Sequence, residues 1–524
     1  MNIAKLSSLF ALTIPMLFQS WAQTFVQQGD KLVGIGAVGF AWQGQSVSLS
    51  EDGNTALLGA PLDNSDTGAA WVFTRVGGVW TQQGDKLVGS GVVGTGAQQG
   101  RSVALSGDGN TALIGGPSDN GDSGAVWVFI RIGAEWKQQG TKLVGSGAIG
   151  PAQQGSSVAL SSDGNTAIVS GGSDDAGMGA AWVFTRMDGV WTQQGTKLVG
   201  SGAIRGASEG LSAVALSGDG NTALAGANGD NFFTGAAWVF TRAGGIWTQQ
   251  GDKLVGSDAV GQPGLGTSVA LSRDGNTALA GGYADNGGVG AAWVFTRAGD
   301  VWTQQGEKLV GSGAANPAWQ GLSVALSRDG NSALIGGPFD TNGNLGAAWV
   351  FTRAGNVWTQ QGEKLVGTGV VGYATQGISV ALSGNGSTAL VGGYDDNNHL
   401  GAAWVFTRTT AVDISIKPGA TPPVPINAGS HGKISVAIIS TPMFNAMTDV
   451  EASSLTFGRT GTEQSLAFCN PGGEDVNGDG LPDLVCQFAT QSTGFQFGDI
   501  LGILIGRTAQ GATILGKEAV VIVR

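Results

Sequence analysis

One short stretch of the chain gathers oxygen ligands at a spacing that suits a divalent cation: Asp475-Val-Asn477-Gly-Asp479-Gly480-Leu481-Pro-Asp483. Side-chain oxygens stand at the first, third, fifth and ninth places. A glycine at the sixth permits a sharp turn, and the Leu481 carbonyl falls at the seventh. Calcium favours such a set of oxygens. Three aspartates packed so closely repel one another unless a cation lies among them. The competing reading is a polar turn with no ion. The glutamate that would complete an EF-hand is replaced by Cys486, so the motif is not an EF-hand. The expectation is one structural calcium ion on Asp475, Asn477, Asp479, Leu481 and Asp483.

A second group of residues suits recognition rather than catalysis. Trp42, Tyr283, Trp319 and Tyr394 stand in segments that also carry Asp63, Asn64 and their counterparts. Aromatic faces beside amides and carboxylates can stack on a ligand and hydrogen-bond to it. The competing reading is that the rings cap a core. Catalytic signals are poor. The chain has two histidines, His399 and His431, and no nucleophile–base arrangement stands out. Gly89-Ser-Gly91-Val-Val-Gly94 matches the dinucleotide fingerprint but no helix follows it, so it reads as a linker. The net charge of −12 argues against nucleic acid. Lys31, Lys86, Lys142 and Arg75, Arg131, Arg186 recur singly rather than in a basic patch.

The elements that carry these residues are set by repetition. The string Ala-Trp-Val-Phe-Thr-Arg and its variants place tryptophans at 71, 127, 182, 238, 293, 349 and 404, in steps of 56 or 55 residues. A period of that size means a solenoid, a propeller or an array. In the unit from Thr81 to Trp136, residues 81–88 read as a polar strand. Residues 101–106 alternate as a strand does, Gly107–Asn110 is a tight turn, and 111–116 and 125–131 are further strands. Four short strands in a meander are the content of a propeller blade. The polar Gln-Gln-Gly-x-Lys-Leu-Val segment occurs once before the first blade and not after the last. Residues 25–33 are therefore expected to pair beside Ala402–Arg408 and close a seven-bladed ring, removing an open edge. An open β-solenoid is the alternative. Repeat tryptophans such as Trp80 and Trp404 are expected to pack the blades.

The units resemble the FG-GAP repeat family, the seven-bladed propeller repeats of integrin α-chains and many secreted bacterial proteins. The residues that carry this are Gln-Gly-x-Ser-Val-x-Leu-Ser (43–50), Leu-Leu-Gly-Ala-Pro (57–61) and Gly-Ala-Ala-Trp-Val-Phe (68–73), and the likeness covers residues 25–408. The resemblance implies an all-β, integrin α-like propeller working in recognition or cell adhesion. Calcium-binding members carry Asp-x-Asp-x-Asp-Gly loops between the first two strands. Here that place holds only Glu51-Asp52-Gly53-Asn54, so no blade metal is expected. The Asp475–Asp483 motif resembles the shorter calcium loops of integrin-type, dockerin and thrombospondin repeats.

Beyond Arg408 the period is lost and Pro418, Pro422, Pro423 and Pro425 mark an entry segment. Apolar runs at 434–439, 484–488, 500–505 and 519–523 read as strands of a small β-sandwich over 409–524. This segment, with its Val-Asp-Ile-Ser-Ile-Lys-Pro-Gly opening at 412–419, resembles an accessory domain at the end of secreted bacterial proteins. Cys469 and Cys486 are either a disulfide or two buried thiols. At the other end, Lys5, the apolar run Leu6–Phe18 and Ser20-Trp21-Ala22 read as a signal peptide cut after Ala22. No later segment could span a membrane as a helix. Together these features point to a secreted or cell-surface scaffold that binds an extracellular protein or glycan without catalysis, through the loop face of residues 23–408. A lectin is the first alternative and a polysaccharide-acting propeller enzyme the second. The Asp52, Asp108 and Asp163 turns are expected to take no part in binding.

Overall fold

The computed structural model describes residues 24–204, 210–315, 317–340, 345–442, 444–509 and 512–523. The expected signal peptide lies outside them. Each repeat folds as a four-stranded antiparallel sheet. In the first blade the strands are Ser46–Leu49, Thr55–Ala60, Ala69–Val76 and Val79–Gln82, in that order from the inside outward. Innermost strands touch their neighbours in sequence around the molecule, and Ser379–Leu382 of the last blade touches Ser46–Leu49 of the first. The seven sheets thus form a closed, propeller-like ring rather than an open stack.

The seventh blade takes its fourth strand from the N-terminal segment. Phe25–Gln27 pairs antiparallel with Ala402–Ala411, setting Phe25 opposite Arg408 and Gln27 opposite Phe406. The chain then leaves the sheet and touches it again where Leu32 bridges Ala403. The polar segment expected as one strand is therefore two pieces. In the first blade, regular pairing ends at Gln82 and only Leu87 bridges back to Ala70. Glycines at 84 and 89 and the bend between them break the ladder.

A second closure lies at the narrow end of the ring. The residue after each inner strand's terminal serine donates its amide to the carbonyl of its counterpart in the next blade. The bonds run from Glu51 to Gly107, Ser162, Gly218, Arg273, Arg328 and Gly384, and Gly384 donates back to Glu51, at 2.8–2.9 Å. Each bond satisfies main-chain groups that the short hairpin turn would otherwise leave unpaired.

Seven tryptophans, Trp71 to Trp404, are essentially inaccessible to solvent, as expected of blade-packing residues. A glycine lies flat against each ring. A β-carbon at Gly89 would sit 2.0 Å from the Trp127 ring, and one at Gly34 2.2 Å from Trp71. In most blades the indole nitrogen donates to a backbone carbonyl, as Trp71 does to Ile35 at 2.8 Å. Trp293 instead donates to the Asp258 carboxylate at 2.7 Å.

Beyond Arg408 the last blade strand continues. Its final residues, Thr409–Ala411, pair in parallel with Thr513–Leu515 and carry the sheet into the C-terminal segment. There one sheet holds Ile414–Ile416, Lys433–Ile438, Leu484–Ala489 and Leu466–Cys469, and the other is built on Leu501–Thr508 and Thr513–Val523. Both bury side chains in one core, with Ile416, Val436 and Phe488 from the first and Phe457, Leu504 and Ile514 from the second.

Candidate functional site

The meander puts two kinds of connection on opposite faces of the ring. On the turn face, Asp52 accepts hydrogen bonds from the Ser50 hydroxyl (2.5 Å) and the Asn54 amide (2.9 Å), which tie the hairpin into a knot. Arg75 reaches from the third strand to Asn54 (2.9 Å) and to Gln28 (2.9 Å) and lies 5.2 Å from the centre of the Trp80 ring. Burial works to raise the Asp52 carboxyl. The hydrogen bonds from Ser50 and Asn54 and the charge of Arg75 outweigh it and hold the group below the ordinary carboxylate range. The same balance holds at Asp108, Asp163, Asp219 and Asp274, and at Asp329 through hydrogen bonds, chiefly from Ser327 and Asn331, while the seventh blade has Asn385.

At the centre of this face the ring brings three charges together. Glu51 meets Arg273 at 2.9 Å and Arg328 at 3.3 Å, and it accepts the Ser162 hydroxyl. These residues come from blades 1, 5, 6 and 3 and bridge the axis. The sequence reading missed this network. Its signal was the one residue that varies among the six Ser-x-Asp-Gly-Asn turns.

The loop face is built differently. Asp63, expected as an exposed ligand-binding residue, is 1% exposed. Its carboxylate pairs with Lys86 at 2.5 Å and accepts the Val38 amide at 2.7 Å, so it is a packing element and not a ligand contact. This corrects the expectation, and the reason is general. An aspartate desolvated to this degree must be paired, and the singly recurring lysines supply the partner. The pattern repeats as Lys31–Asp396, Lys142–Asp119, Lys197–Asp174, Lys253–Asp230, Lys308–Asp285 and Lys364–Asp340. In the sequence it shows as an aspartate and a lysine 23 residues apart in most copies.

After this buried aspartate the backbone turns left-handed. Asn64, Ser65 and Asp66 have φ of 51°, 55° and 65°, and Asn231, Phe232 and Phe233 have 47°, 55° and 66°. Such conformations cost L-residues on the order of 1–2 kcal/mol each. Asn64 itself is exposed at the tip of its turn. Trp42, Tyr283, Trp319 and Tyr394 are half-buried. The structure brings them together in pairs: Trp42 lies 4.7 Å from Tyr394, and Trp319 lies 5.0 Å from Tyr283 and 4.5 Å from Phe339. Each pair joins a linker to an adjacent blade, so part of every ring face is spent on its partner. Burial, with the charge of Asp395, raises the Tyr394 phenol above its ordinary value, partly offset by Arg101. On the loop face the most exposed rings are not the named candidates but their neighbours. Phe40, Phe232 and Tyr373 are 60–64% exposed. His399 pairs with Asp395 at 2.7 Å, with Phe40 edge-on to its ring.

In the C-terminal segment Cys469 and Cys486 are disulfide-bonded, joining neighbouring strands. The bridge closes the loop that holds the acidic motif. Asp475 accepts the amides of Gly478 and Gly480, Asp479 accepts that of Leu481, and the Asn477 side chain donates to Asp479. These three side chains are exposed and share one tight turn. Asp483 is fully buried, and its two oxygens accept the amides of Ser440 and Val476. Among the described residues, no three carboxylate, imidazole or thiol side chains converge closely enough to hold a metal ion. Asp475, Asn477 and Asp479 offer oxygen donors, which in this turn are engaged within the turn itself, and Asp483, as it lies, serves the fold.

No protein-family model matches the chain, and no curated protein matches it. Among the described residues, no helix is long and apolar enough to cross a membrane.

Proposed function

We propose that the protein is an exported recognition or adhesion scaffold of FG-GAP type, whose seven-bladed propeller binds an extracellular protein or glycan through its loop face and carries out no catalysis. The observation that carries this reading is the asymmetry between the two faces. The polar groups of the turn face are occupied by hydrogen bonds to one another, and the large side chains it exposes on its outer hairpin turns, such as Val76, Met187 and Ile246, are aliphatic or thioether and carry no ring. The C-terminal segment docks at the same end, through Thr407–Thr513 and through Arg507 on the Gly77 carbonyl. The loop face instead exposes Phe40, Phe232, Phe233 and Tyr373 around a strained rim. Exposed apolar surface rimmed by polar groups marks interaction sites. The 409–524 segment is read as a β-sandwich that calcium would stabilise. Asp475, Asn477, Asp479 and the Leu481 carbonyl would hold the ion, whose charge would offset the repulsion among the carboxylates. An export signal at 1–22 completes the reading.

The test is binding of the labelled protein to cell surfaces and to immobilised extracellular proteins and glycans. Phe40→Ser, Phe232→Ser and Tyr373→Ser should each weaken capture while leaving Tm in place. Asp108→Asn, on the turn face, should leave capture alone. Loss through Asp108→Asn with full capture by the three ring variants would put the site on the other face and end this reading.

A further inference from the structure

We infer that the loop face holds a second, more specific feature: a polar cavity beside blades 2 to 5 that takes a polyhydroxylated ligand, one to three units of an oligosaccharide. This rests on the loop face being the binding face. The cavity has a volume of about 670 Å³, within the ~300–1,000 Å³ of small-molecule sites. Its lining is unlike the mostly apolar wall of such sites. Gln98, Gln153, Asn228, Ser118, Ser156 and Ser173 supply amides and hydroxyls, with Arg101 as the one charged lining side chain among the described residues.

The chemistry selects the ligand. A phosphate or a lone carboxylate calls for donors alone. Amides and hydroxyls both donate and accept, and sugar hydroxyls do the same, so each wall group can be matched in either sense. An aromatic ring stands close by, outside the lining itself. The Tyr283 ring lies against Gly264, which also adjoins Asn228.

A second observation comes from the backbone. In the six blade-entry linkers where this position is described, one residue is left-handed. Its φ is 57° at Gln98, 57° at Gln153, 60° at Trp42, 58° at Trp319 and 53° at Thr375, and the corresponding residue before the fifth blade is Gly264, at 63°. Glycine adopts this conformation freely, and other residues pay for it. Packing explains the two tryptophans, which stack on neighbouring rings. It explains the glutamines less well. Gln98 and Gln153 are half-buried and line the cavity; main-chain bonds hold their turn, and at the side chain Gln153 accepts the Ser173 hydroxyl at 2.8 Å. Strain kept at a polar residue beside a cavity points to use of its side chain.

The experiment is calorimetric titration of the full chain with maltotriose, cellotriose, mannotriose, N-acetylchitotriose and trigalacturonate. The variants are Gln98→Gly/Gln153→Gly, which removes both amides while easing the backbone, and Ser118→Phe, which fills the cavity. Wild type should bind at least one trisaccharide. Both variants should weaken it roughly tenfold or more, the glycine variant without a fall in Tm, while Asp108→Asn on the turn face leaves it unchanged. Binding of no trisaccharide, or binding unchanged in both cavity variants, overturns the inference. If the rim still captures cells while no trisaccharide binds, only the cavity assignment falls. If capture ignores the rim variants and shifts with the turn face, the wider reading falls first.

Discussion

The ion pair between Lys31 and Asp396 is the one member of its series that crosses the point of ring closure, joining residues 365 apart in sequence. Its aspartate is completely buried, whereas the lysine side chain keeps 17% of its exposure. Replacing Lys31 with Met strands a desolvated carboxylate that retains one partner, the Val371 amide at 2.8 Å. Breaking a buried pair on one side costs ~3–5 kcal/mol. The surviving hydrogen bond and the path to water along the lysine's side reduce this to ~2–3 kcal/mol, since a bond to a charged group contributes ~1.5–3 kcal/mol. Replacing both partners, as Lys31→Met with Asp396→Leu, leaves no stranded charge and should recover most of the loss. Urea unfolding followed by tryptophan fluorescence measures all three proteins, and the cycle isolates the pair. Hydrogen exchange adds a local reading: Lys31→Met should release protection at Phe25–Gln27 and along Ala402–Arg408, whereas Lys86→Met, inside a covalently continuous stretch, should not. A single variant as stable as wild type would refute the argument, as would a double variant that is no better than the single.

Acid should loosen the turn face. Its six aspartates have carboxyls held below the ordinary value of 3.8, so the stability they contribute is complete above that value and is lost as pH falls through their lower folded values. Urea midpoints should therefore drop below about pH 4, and Asp108→Asn, copying Asn385 of the seventh blade, should flatten that drop while costing little at pH 7. Gly89→Ala drives a methyl into the Trp127 ring, 2.0 Å from its nearest atom, and should destabilise by ~1–3 kcal/mol or more; an unchanged Tm would show that the tryptophan has room to move. Calcium titration should raise the unfolding temperature of the 409–524 segment and not of the blades, and Asp475→Ala/Asp479→Ala should abolish the shift; no bound calcium in the wild type would remove the proposed site. Cys469→Ser opens the 17-residue span that holds the acidic turn and should weaken any calcium-linked stabilisation as well as costing ~2–4 kcal/mol.

The sequence by itself determined the number of blades, the strand order within each, the burial of the repeat tryptophans from Trp71 to Trp404, though not the half-exposure of the outer series from Trp80 to Trp358, and the borrowing of an N-terminal strand. All of these follow from local periodicity and a strand count. It also marked Cys469 and Cys486 as a candidate pair, though not their apposition. The tertiary structure decided which polar residues face solvent. Asp63 and Asn64 are adjacent in a polar loop, yet one is buried against Lys86 and the other exposed on a left-handed turn, because the carboxylate is drawn to a lysine on the following linker. Glu51 and Arg273 look like unrelated variants of a turn, and only the closed ring brings them into contact from 222 residues apart. The cavity beside blades 2 to 5 has the same origin. Its wall comes from several copies of the repeat, and a sequence read one copy at a time cannot show side chains that meet only because the ring is curved and closed.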